Sequence, residues 1–96
     1  MADWKTRKHL EDHYGRHRGE LRTRSVGEYD ASAQETIALG VRFTYRDERT
    51  RELRVGYFHR NTSRFVAMTV DGLIVTHFQT DEGVVAGYDR STYRDD

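Results

Sequence analysis

The chain contains no cysteine and no proline. Without cysteine there can be no disulfide and no thiolate metal site, a composition that fits a reducing compartment. Without proline, breaks between elements have to be read from glycine and from changes of hydrophobic period. Apolar residues are also scarce, at 35% of the chain against 33% charged. No apolar run approaches the roughly 18 residues of a membrane span, and the N-terminus lacks the apolar core of a signal peptide. These absences predict a protein without a membrane segment, either cytoplasmic or a module of something larger. Ninety-six residues suit a single domain over 1–96 with one lean two-layer core.

Net charge is zero, which argues against a generic nucleic-acid binder, yet the charges are sorted. Residues 1–24 carry seven Lys/Arg against four Asp/Glu, and residues 41–64 carry seven Arg against three. Residues 25–40 and 81–96 are acidic. Alternating blocks suit either a localised anion-binding face or an ordinary solvated surface.

The stretch Arg64–Thr80, RFVAMTVDGLIVTHFQT, organises the rest. Asp-Gly between two apolar runs predicts a hairpin with a two-residue type I′ turn at Asp71-Gly72. That turn sets Met68 opposite Val75. It puts Val66, Met68, Val70, Leu73, Val75 and His77 on a helix-packed face, and Phe65, Ala67, Thr69, Ile74, Thr76 and Phe78 on the other.

Before the hairpin, helical spacing from Trp4 through Leu10, Tyr14 and His17 predicts a first helix over about 4–20. Ser25 with Glu28 reads as a capping box opening a second helix over about 25–39, with Val26, Tyr29, Ala33 and Ile37 as its buried stripe. Gly40 is placed to end that helix, and the period then turns alternating. Strands are expected at about 41–46, 53–59, 64–70 and 73–80, followed by an irregular tail over 81–96 anchored by Tyr88 and Tyr93. The fold class is α+β, with two N-terminal helices packed on one face of a four-stranded antiparallel β-meander. Arg42, Arg46 and Arg54 are expected on the face of Thr76 and Phe78, together with Phe58 and Phe65.

His9, His13 and His17 recur every four residues, so they share one helix face. Such spacing can share a metal ion, but no carboxylate or cysteine pattern supports one, and no metal or cofactor is expected. A single histidine could instead carry a proton. On the sheet, arginines could clamp phosphates and the aromatic rings stack on bases. They could equally be arginines that keep a sheet face from aggregating.

Two segments carry a resemblance. Arg16-His17-Arg18-Gly19-Glu20-Leu21 ends the first helix, and Asp71-Gly72 precedes Ile74, Thr76 and Phe78 on the last strand. Both resemble the nuclease domains of colicin D-type toxins, within the larger barnase/EndoU/colicin/RelE group. The order of helices before an antiparallel meander agrees. The resemblance implies a metal-independent ribonuclease that cuts tRNA in or near the anticodon loop, through attack of a ribose 2′-hydroxyl on the adjacent phosphate. It implies His17 as proton carrier, Thr76 as the hydroxyl that orients the phosphate, and Phe78 as the aromatic contact to base or sugar. Where the family often has a lysine one turn before the histidine, this chain has Tyr14, so Arg16, His13 or a strand arginine must supply the cation. A partner follows as well, an acidic inhibitor of the immunity-protein or antitoxin kind. The setting would be the cytoplasm, or the target cytoplasm for an effector domain of a secreted toxin. The alternative is a non-catalytic α+β module whose basic sheet face holds RNA or an acidic protein.

Overall fold

The computed structural model describes residues 1–92. Element order is β1 (Asp3–Trp4), α1 (Arg7–Leu21), α2 (Val26–Leu39), β2 (Val41–Arg46), β3 (Leu53–His59), β4 (Arg64–Thr69), β5 (Leu73–Gln79) and α3 (Glu82–Thr92). The class is α+β with helices ahead of an antiparallel meander, as expected, and two further features come with it. Trp4 belongs to a short strand rather than to the first helix, and it adds a parallel edge to give a five-stranded sheet in the order β1-β5-β4-β3-β2. Residues expected to be an irregular tail form α3. Tyr93, expected as an anchor, lies outside the described residues, as does the side chain of Tyr88. Among the described residues no helix is long and apolar enough to cross a membrane.

Local chemistry explains where the helices begin. The Thr6 side chain accepts from the His9 backbone N–H at 3.0 Å to cap α1, filling one of the unpaired donors of a helix start. Ser25 does the same for Glu28 at 3.1 Å, and the Glu28 carboxylate accepts from the Arg24 backbone N–H. The reciprocal bond thus lands one residue before the cap, a small variant of the expected box. Ala33, packed with Val55, Val66, Met68 and Ile74, joins α2 to one face of the sheet. Leu10, Leu21 and Tyr29 lock α1 to α2.

The hairpin departs from the two-residue turn. Only Gly72 has positive φ, at 94°, whereas a type I′ turn needs two such residues. The Gly72 N–H donates to the Thr69 carbonyl at 3.0 Å, so Val70-Asp71-Gly72 form a three-residue loop with glycine at its left-handed position. Near the loop Met68 therefore pairs with Ile74, and a bulge at Val75 restores the expected pairing of Ala67 with Thr76 and Phe65 with Phe78. The shift moves Ile74, fully buried, onto the helix face in place of Val75, and leaves Val70 62% exposed. From Thr76 to Gln79 the expected faces stand.

The opposite face is a second core rather than a solvated surface. Six residues, 47–52, join β2 to β3, and the register sets Tyr45 opposite Arg54 and Phe43 opposite Gly56. Phe43 and Tyr45 thereby join Phe58, Phe65, Ala67 and Phe78 on one side, with Val85 of α3 packed over the β2 end. Gly56 is required there, because a Cβ would lie 2.7 Å from the Phe43 ring and 2.9 Å from the Phe65 ring. Arg42 and Arg46 alternate to the other side of β2, so of the three expected arginines only Arg54 shares the face of Thr76 and Phe78. Their displacement is a consequence of strand parity: a loop one residue longer or shorter would have reversed it.

Candidate active site

β1 covers only Leu73 and Ile74 of β5, so the rest of that strand would be an open edge. Helix α1 lies along it. Glu20 accepts from the backbone N–H of Gln79 at 2.8 Å through Oε2, and its Oε1 accepts from Nδ1–H of His17 at 3.0 Å. One carboxylate thus docks helix to strand and fixes the ring of His17, leaving Nε2 as the free ring atom. His17 sits against Phe78, with ring centroids 5.7 Å apart, and Phe78 packs on Phe65 at 5.2 Å.

One helical turn earlier, Nδ1 of His13 and the Thr76 hydroxyl share a hydrogen bond of 2.9 Å across 63 positions of sequence. Burial, then the positive charges of Arg16 and the neighbouring histidines, push the His13 pKa down to about 4. The imidazole is therefore neutral at pH 7, with Nε2 unengaged. His9, His13 and His17 stack face to face, with centroids 6.1 and 5.9 Å apart. Among the described residues no group of three or more His, Asp or Glu side chains is arranged to hold a metal ion.

Thr76 and Phe78 form the wall between α1 and a cleft of about 210 Å³ on the second face. Its floor is Phe65, Ala67 and Tyr45, and its rim carries Arg46, Asp47, Glu48, Arg49 and Arg54. Arg54 is buried and ion-paired to Glu52 at 2.7 Å. Asp47 accepts from the backbone N–H groups of Thr50 and Arg49, both at 2.9 Å. These bonds shape the rim loop and lower the Asp47 pKa, the Thr50 bond most.

Of the residues singled out in the sequence, His13, His17, Thr76 and Phe78 come together, and Arg54 lines the adjoining cleft, whereas Arg46 borders it only from the end of β2, its strand position facing the other side. Arg16 is exposed and reaches the site through its field on His13. Arg42 lies away from it, in a groove with Phe58, Arg60 and Val85. The partner of the Thr76 hydroxyl is His13, one turn before the His17 that the resemblance implies as proton carrier. Arg49 was missed because it sits in a loop, and Tyr45 because the length of the loop after β2 decides which face it joins. Glu20 was visible only as the acid three residues after His17. Compared with known proteins, the chain finds no match: no family model, no curated protein and no solved structure matches it.

Proposed function

We propose that the protein is a metal-independent endoribonuclease that cleaves tRNA, in or near the anticodon loop, by attack of a ribose 2′-hydroxyl on the adjacent phosphate. The observation that carries this reading is the 2.9 Å bond between His13 and Thr76, with His17 one turn away at the same wall. With Nδ1–H donating to Thr76, the neutral His13 keeps a lone pair on Nε2 and takes the 2′-hydroxyl proton. The 2′-oxygen bonds to phosphorus, the bond to the 5′-oxygen breaks, and a cyclic phosphate remains. His17, its Nδ1–H held by Glu20, gives its Nε2 proton to the departing 5′-oxygen. Thr76 accepts from His13 and so has its own O–H free for a phosphate oxygen, while Arg49 supplies positive charge at the rim. Phe78, half-buried with its ring over the wall, offers a face on which a base stacks.

A toxin of this kind acts in a cytoplasm and calls for an acidic inhibitor that blocks the cleft. Incubating the protein with total tRNA and mapping cut ends tests the reading. Fragments ending in 2′,3′-cyclic phosphate, absent when His13 and His17 are replaced by alanine, are the expected outcome. Intact tRNA at equimolar protein would overturn it. The Arg54–Glu52 pair and the Asp47 and Glu48 carboxylates on the rim favour a second reading, a binding module without catalysis. Harmless expression without an inhibitor, with RNA bound and uncut, would select that one.

A further inference from the structure

Another cleft, of about 510 Å³, opens at the C-terminal end of α1. Tyr14, Arg18, Gly19, Arg22, Thr23 and Arg24 line it. Three guanidinium groups and no carboxylate border the space. The nearby acids are engaged elsewhere: Glu28 accepts from the Arg24 backbone N–H, and Glu20 is held by His17 and Gln79.

Arginines at a helix C-terminus often cap the last carbonyls, but here backbone does that work. The Arg22 N–H donates to the carbonyls of Arg18 and Gly19, and the Thr23 N–H donates to the Arg18 carbonyl at 3.0 Å. Arg18 lies over the Tyr14 ring, its guanidinium carbon 6.0 Å from the centroid, which orders the group without neutralising it. The Thr23 hydroxyl is buried and, among the described residues, has no hydrogen-bond partner. Such a group destabilises the fold until an acceptor is found.

We propose that this cleft is a phosphate-binding site for the RNA backbone, holding a phosphate outside the one that is cut. The proposal rests on the ribonuclease reading for its ligand, and it adds a second anchoring point on the same helix. Arg18 follows His17 directly, so a strand leaving the reaction site over α1 reaches the arginines within a few nucleotides. A phosphate seated among them accepts from guanidinium N–H groups, whose planar fork matches two phosphate oxygens. It also gives Thr23 an acceptor once that side chain turns toward the cleft.

Single-stranded RNA with 2′-O-methyl groups lacks the attacking hydroxyl, so it reports binding without cleavage. Its affinity is measured by fluorescence anisotropy over a range of salt for three proteins. They are the parent, R18Q/R22Q/R24Q, and the charge-keeping R18K/R22K/R24K. Circular dichroism establishes that each is folded. The glutamine variant is expected to bind about tenfold more weakly at low salt. Its plot of log K against log salt flattens by about one for each phosphate the protein no longer neutralises. The lysine variant keeps the parent's salt slope, because counterion release depends on charge. Cleavage of a dinucleotide, too short to span both sites, stays at the parent rate in both.

Equal affinity and slope for parent and glutamine variant would overturn this site and leave the ribonuclease reading untouched. A lysine variant as impaired as the glutamine one would overturn it too, since the loss would then not follow charge. If the parent binds RNA through these arginines but cuts nothing, the site stands and the ribonuclease reading falls. No RNA binding by the parent at low salt would sink both.

Discussion

Two histidines, His77 on β5 and His13 on the helix docked beside it, have pKa values that burial pushes down to about 4, and the two differ in what their rings have left to do. His77 is fully buried between β5 and α2. Its Nδ1–H donates to the Phe65 carbonyl at 2.9 Å, and its Nε2 accepts from the Ser32 hydroxyl at 2.8 Å. Arg64 in turn donates to Ser32 at 2.7 Å and to the Leu21 carbonyl at 3.2 Å, and the Tyr29 hydroxyl donates to the carbonyl of His77. Every polar atom of that ring is spent inside the protein. His13, only half-buried, spends Nδ1 on Thr76 and keeps Nε2. A neutral imidazole with both nitrogens occupied holds a fold together. With one nitrogen open beside a hydroxyl, it can move a proton.

The sharpest way to break this contrast is to remove each ring in turn. His13→Ala is expected to lower tRNA cleavage by ~10²–10⁴-fold, the usual contribution of a general acid or base, with the far-ultraviolet spectrum unchanged. His17→Ala falls in the same range. A His13→Ala protein that cleaves like the parent would end the assignment. His77→Ala should act on stability instead, since it removes the acceptor of the Ser32 hydroxyl and a donor to the Phe65 carbonyl in a dry core. A loss of about 3 kcal/mol in urea unfolding is expected, with per-molecule activity kept wherever the variant is folded.

Acid should sharpen the same comparison. The unfolded chain binds a proton at the His77 position near pH 6.5, whereas the folded protein resists it down to about 4. Between those values the unfolded state holds more protons, so this contribution is complete above pH 6.5 and is lost as pH falls toward 4. The acid-induced loss of stability over that window should be smaller in His77→Gln than in the parent, measured as urea midpoints at pH 7 and pH 5. An identical loss would mean that His77 is not the group responsible.

Two smaller effects complete the series. Thr76→Val keeps the shape but removes the partner of His13 and the hydroxyl offered to phosphate. About a tenfold loss in kcat is expected, well short of the histidine variants, and no loss would remove Thr76 from the site. Excess chelator should change nothing, because the proposed steps use only imidazole, hydroxyl and guanidinium groups. A rate that collapses with chelator and returns with zinc would hand the stacked histidines of α1 a metal role.

Much of this was legible in the order of residues. Helical spacing around Leu10 and Tyr29, the Ser25 start, and the alternation of Leu53–His59 are local signals, each set by neighbours a few positions away. They determined α+β, the helices ahead of the meander, and the side of β5 on which Thr76 and Phe78 stand. The tertiary structure decided what local signals cannot carry. Strand register depends on loop length to a single residue, so a six-residue loop sent Arg42 and Arg46 to the far side, set Tyr45 opposite Arg54 and brought Phe43 over Gly56. The glycine loop of β4–β5 moved Ile74 inward, because one residue of shift exchanges the faces of a strand. Which histidine meets Thr76 was fixed by how far α1 slides along the open edge of β5. That position is set by Glu20 on the Gln79 N–H and by Leu10 and Leu21 against Tyr29. The sequence marks His13 and His17 alike as residues of one helix face; only docking that face against a strand some 60 positions away gives one of them the hydroxyl and the other the aromatic ring.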